Sequence, residues 1–287
     1  MGNVLELHLD GGAWFPGETL TGILLLQLLR RTAIHEFSAT LYGHEQVTVT
    51  ERRGKHSTTY HESVPILTHP LIAQGSRGPL LYPGEYDAGT YTLPFEVPLP
   101  RGVPPSFSRA HLGFRSSVSY NLHATAGVPW RFDPRADLPV LVVLPPHPPR
   151  AERQRAAKPP GFATGGTSIE AEVDMSDAPR DGLITGTVQV DTTGETRMRS
   201  VTVSLIEQAS GRARGHSGAS WPETISEHFF GPGDARFGAH LVFEVPVPPT
   251  ASPSYEGQIV RMTHTLRFTA DLAFAVNPTM AMPFRIT

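Results

Sequence analysis

Apolar and polar residues alternate over short runs through most of the chain, and a period of two predicts β-strands. Leu5, Leu7 and Leu9 alternate with Glu6, His8 and Asp10; Phe37, Ala39 and Leu41 form one stripe, and Val118, Tyr120 and Leu122 another. Clusters of Gly, Pro, Asn and Asp separate the runs, as expected of antiparallel sandwiches. With 27 Gly and 28 Pro in 287 residues, a helical bundle is excluded.

The pattern occurs twice. Phe95-Glu96-Val97-Pro98-Leu99-Pro100 and Pro105-Ser106-Phe107 return as Phe243-Glu244-Val245-Pro246-Val247-Pro248 and Pro253-Ser254-Tyr255, 148 residues later. Upstream, Leu20-Thr21-Gly22 and the Phe37 stripe return at an offset of 164 as Ile184-Thr185-Gly186 and Val201, Val203 and Leu205. An internal repeat of this kind marks a duplicated structural unit. The change of offset places 16 extra residues of the first copy between Glu45 and Phe95, so the second copy is expected to be the plainer.

The repeat predicts an all-β chain of two tandem antiparallel immunoglobulin-like sandwiches, at 1–145 and 169–287. Residues 146–168 are proline-rich and lack apolar periodicity, so they read as a linker. Net charge is −1, +3 and −5 over the three segments, which sets a basic run beside an acidic second domain. The overall charge of −3 offers no field for a phosphate backbone and argues against nucleic-acid binding. The absence of cysteine removes disulfides, thiolate nucleophiles and cysteine-based metal sites. The start has acidic residues where a signal peptide has basic ones, and Ile23 to Leu29 is far shorter than a membrane span. A cytoplasmic protein without an integral membrane segment is expected.

The residues resemble the arrestin-like fold family: arrestins, alpha-arrestins, the retromer's arrestin-like subunit and bacterial sporulation-control proteins. The resemblance is carried by Phe15-Pro16-Gly17-Glu18 with Thr21-Gly22, then Gly84, then Leu93 to Pro100, Pro105-Ser106-Phe107 and Ser119-Tyr120-Asn121-Leu122. It implies a scaffold that contacts protein partners through loops of the first domain. Two family features are missing. The first run carries no paired lysines of the kind phosphate-sensing members use, and no proline pair is followed two positions later by tyrosine.

The remaining chemistry is sparse. Thirteen histidines show no recognised ligand spacing, although His56, His61 and His69 share the extra segment. No glycine elbow carries a nucleophilic serine, and no phosphate-binding loop precedes a helix. No catalytic, cofactor-binding or metal residues are assigned, and no enzymatic activity is expected. Two surfaces are candidates for partner binding. Arg52, Arg53 and Lys55 form a basic hairpin tip. Ile23, Leu25 and Leu29 form an apolar stripe where the second copy has Thr187 and Gln189, and such a stripe marks either a locally covered face or a surface for self-association or partner capture. Leucine-rich composition alone would also permit a helix over Ile23 to Leu29; the alternating second copy decides for a strand. The expected function is an adaptor or scaffold in signalling or protein trafficking. The alternative is a carbohydrate-binding protein or hydrolase, which a deep pocket lined by convergent His, Asp or Glu would favour.

Overall fold

The computed structural model describes residues 3–76, 78–129, 133–145 and 148–287. The chain divides into two compact units, 1–145 with Arg212–Ser217 and Gly257–Val260, and the remainder. The first half contributes β1 (Val4–Leu9), β2 (Thr19–Leu28), β3 (Thr32–Ile34), β4 (Glu36–Arg53), β5 (His56–Pro70), β6 (Ile72–Ala73), β7 (Gly84–Tyr86), β8 (Gly89–Pro98), β9 (Phe107–His111), β10 (Phe114–Gly127) and β11 (Arg135–Val140). The second half contributes β12 (Gln154–Gly161), β13 (Thr167–Val173), β14 (Asp177–Ala178), β15 (Leu183–Thr192), β16 (Arg197–Ala213), β17 (His216–Ala219), β18 (Glu223–Phe230), β19 (His240–Pro246), β20 (Tyr255–Glu256), β21 (Val260–Ala273) and β22 (Thr279–Ile286). One helical turn, Phe162–Thr164, interrupts this all-β order.

Each unit is a sandwich of two sheets. In the first, β1-β2-β8-β6 faces β11-β10-β4-β5. In the second, β12-β13-β15-β19 faces a sheet built on β14-β22-β21-β16. Alternation sorts the side chains: along β2, Leu20, Leu24, Leu26 and Leu28 are buried with Gly22, and along β15 the matching Ile184, Val188 and Val190 are buried with Gly186. Ile23 to Leu28 is therefore strand, as the second copy's alternation predicts.

The two copies share their packing details. Gly22 lies opposite Phe95, and Gly186 opposite Phe243. A Cβ on Gly22 would come within 2.2 Å of the His8 carbonyl oxygen and 2.8 Å of the Phe95 ring; on Gly186 the distances are 2.3 Å to the Glu172 oxygen and 2.7 Å to Phe243. Both rings are fully buried, so the glycine gives the space that a core phenylalanine fills. The closing strand is held alike in both. The Ser106 N–H donates to the Val142 oxygen at 2.8 Å while its Oγ accepts the Val142 N–H at 3.1 Å, and Ser254 does the same with Ile286 at 2.7 and 2.9 Å.

Two sequence expectations are corrected. The stretch 146–168, read as a linker, contributes β12, which pairs antiparallel with β13; residues 146 and 147 lie outside the described residues. Pro159 and Pro160 hide this strand from pattern reading, yet they are tolerated because β12 is an edge strand with one unpaired side. The second unit is also not the plainer. Its 17-residue β16 carries both β17 and β18, so the 16 extra residues of the first copy lengthen one hairpin without adding a layer.

Candidate functional site

The candidate site is the edge of β1. Antiparallel registers pair Leu5, Leu7 and Leu9 of β1 with Leu26, Leu24 and Gly22 of β2. The Asp10 N–H donates to the Thr21 oxygen at 3.1 Å, so the hydrogen-bonded pairs in this ladder are those of Glu6 and His8. The main-chain groups of Leu5, Leu7 and Leu9 consequently point away from β2. Among the described residues no strand pairs with that side.

The second unit shows the same edge filled. At the 164 offset β13 corresponds to β1, with Ile169, Ala171 and Val173 in the places of Leu5, Leu7 and Leu9. The strand β12 pairs along it from Gln154↔Val173 to Lys158↔Ile169. Ala156 packs against the second core, Arg155 bonds Glu170 at 3.0 Å, and Arg153 reaches Glu172 at 3.3 Å. The basic run thus lies on acidic positions of its own unit.

The sequence-predicted surfaces fall at two places in the first unit. Arg52, Arg53 and Lys55 occupy the exposed tip of the β4–β5 hairpin, which turns at Gly54 with φ of 64°. Arg53 lies 3.5 Å from Glu51. Glu51 also meets His216 Nδ1 at 2.8 Å, and His216 stacks on Tyr60 with ring centroids 3.6 Å apart. The bond from His216 is the main cause that holds the Glu51 carboxyl below its ordinary range. The base of this hairpin is fixed by Glu45, a buried carboxylate that accepts the N–H groups of Gln258, Ile259 and Val260 at 3.1, 2.8 and 3.2 Å.

Ile23 and Leu25 share the outer face of the β1-β2-β8 sheet, and Leu29 lies just past the end of β2. Ile23 and Leu25 are half-buried between His8 and Glu6 of β1 and Pro94 and Thr92 of β8, whereas Leu29 is 51% exposed. The stripe therefore adjoins the β1 edge, while the basic tip lies on the opposite sheet. His56, His61 and His69 do not converge, because all three lie along the one extended strand β5, in which 13 residues span roughly 40 Å. Among the described residues no group of three or more His, Asp or Glu could hold a metal ion.

Two features went unread in the sequence. In the second unit, Ser254 Oγ meets His264 Nδ1 at 2.9 Å, and His264 Nε2 meets Glu207 at 3.2 Å beside an open groove of about 710 Å³. His264 and Glu207 are buried, and Glu207 also accepts the Ser252 N–H at 2.8 Å. The order Ser-His-Glu is that of a hydrolytic triad. Here, however, Ser254 Oγ already accepts the Ile286 N–H, and Ser106 makes the same clamp in the first unit, where Ser116 stands at the place of His264. The serine is thus a strand clamp in both copies. The second feature is an aromatic tip on the second unit, where fully exposed Phe162 and Phe274 border a smaller groove with Gly165 and Thr196. Neither lies on an alternating strand, so periodicity gave no signal for them.

Two tandem antiparallel sandwiches, each closed by a serine clamp and packed on a glycine-phenylalanine pair, define an arrestin-like β-sandwich protein. Residues 5–147 match the family model of the arrestin (or S-antigen) N-terminal domain, and the chain belongs to the arrestin-like fold family. No curated protein matches it. No helix among the described residues is long and apolar enough to cross a membrane.

Proposed function

We propose that the protein is a non-enzymatic adaptor in signalling or trafficking that captures an extended segment of a protein partner as an added strand on β1. The observation that carries this reading is the open β1 edge beside a second copy whose matching edge holds β12. Main-chain groups of an edge strand supply affinity without regard to sequence, and the alternating side chains supply selection. The arrestin-like fold supports an adaptor.

The test is affinity capture from the native host with the intact chain and with Leu9→Pro. Leu9 sits at the end of β1 and is only partly buried, so proline there removes an outward N–H at small cost to the core. The intact chain is expected to retain a partner that the variant releases while both melt within a few degrees. Equal retention by a folded variant would overturn the proposal.

A further inference from the structure

We infer that the strand captured on β1 is basic, with an arginine or lysine that reaches Glu6 and a small residue next to it at the level of Leu7. This rests on the capture reading above and names the chemistry of its partner.

The second unit provides the chain's own example of a strand on this edge. Carried to the first unit at the 164 offset, Glu170 becomes Glu6, Glu172 becomes His8 and Asp174 becomes Asp10. In the β12 register, Arg155 falls opposite His8 and its bond to Glu170 carries to Glu6, whereas Arg153, which reaches Glu172, carries to His8. Ala156 falls on Leu7, where a small side chain meets the rim of the core.

The charge on the receiving face agrees. The outward positions of β1 are Val4, Glu6 and His8, with Asp10 just past its end; those of β2 are Thr21, Ile23, Leu25 and Gln27; those of β8 are Thr90, Thr92, Pro94 and Glu96. Three carboxylates stand on this face, and the sole basic group is His8, whose Nε2 lies 3.5 Å from Glu6. No lysine or arginine is present to receive a phosphate or an acidic side chain. An acidic segment would meet like charge at Glu6 and Asp10, whereas an arginine in the place of Arg155 would pair with Glu6. His8 in place of Glu172 removes one acidic position, so Glu6 carries most of the selection.

The probe is a fluorescein-labelled peptide with the sequence of residues 152–161, Glu-Arg-Gln-Arg-Ala-Ala-Lys-Pro-Pro-Gly, titrated against the intact protein by anisotropy. Comparison peptides carry glutamate or phosphoserine at the two arginine positions, or an N-methyl group on the residue matching Ala156. The basic peptide is expected to bind about tenfold tighter than the acidic ones and to weaken with salt. N-methylation should abolish binding, and Glu6→Arg should invert the preference. Because Glu6 is exposed and belongs to the first unit, its substitution leaves the β12–β13 pair untouched, and the inversion locates the site on β1 even if the peptide also exchanges with β12. Equal or tighter binding of an acidic peptide, still blocked by N-methylation, would overturn the basic preference and leave edge capture standing. No binding of any peptide, or binding indifferent to N-methylation, would overturn edge capture itself.

Discussion

Tyr120 joins the core to the turn before β9. It is buried, its hydroxyl donates to the Pro104 oxygen at 2.7 Å, and burial, reinforced by the negative charge of Glu45, pushes the phenol well above its ordinary value of 10. A folded-state pKa raised above the unfolded one means that stability is complete below pH 10 and falls as pH rises from there toward the folded value, because unfolding releases the proton. Tyr120→Phe loses one hydrogen bond, about 1 kcal/mol near neutral pH. Urea unfolding from pH 7 to 11 should show this deficit shrinking above pH 10, as the wild type loses what the variant never had. A constant deficit across the range would mean that the phenol is not held protonated by the fold.

At the scale of elements, the two surfaces read from the sequence separate cleanly. Arg52, Arg53 and Lys55 project from a turn whose base is held by Glu51, His216 and Glu45, so replacing the three by alanine should leave the melting temperature nearly unchanged. Ile23→Thr with Leu25→Gln copies the second unit onto a half-buried face and should cost roughly 1 kcal/mol, with the fold intact. Under the edge account only the stripe variant alters partner capture, since the stripe flanks β1 and the tip lies on the other sheet. Loss of capture in the tip variant alone would move the binding surface to the hairpin.

The same elements explain what was legible. Strands buried on one face declare themselves by alternation, so β2, β8, β10 and their copies could be placed and even aligned. The strand β12 could not, because an edge strand held by main-chain bonds and two ion pairs needs no apolar stripe. Its charges were visible as a basic run beside an acidic domain; their pairing was not. The Ser254, His264 and Glu207 contacts join residues far apart in the chain and so leave no local pattern.

At the scale of the whole molecule, duplication lets one copy explain the other. Glycine, phenylalanine and serine hold equivalent places in both units, so the differences stand out against a shared frame: His264 and Glu207 are added in the second, and among the described residues no strand pairs beyond β1 in the first. A protein that satisfies an edge in one unit and leaves the same edge open in the other has a place where a partner adds hydrogen bonds that folding did not make. Amide hydrogen exchange tests this most directly. In the free protein the amides of Leu5, Leu7 and Leu9 should exchange quickly, while their counterparts Ile169, Ala171 and Val173 are protected by β12. Saturation with the peptide of residues 152–161 should slow the three leucine amides by at least about tenfold and leave those of Glu6 and His8 nearly unchanged. Leucine amides that are already protected in the free protein, or that exchange no more slowly in the complex, would contradict the account.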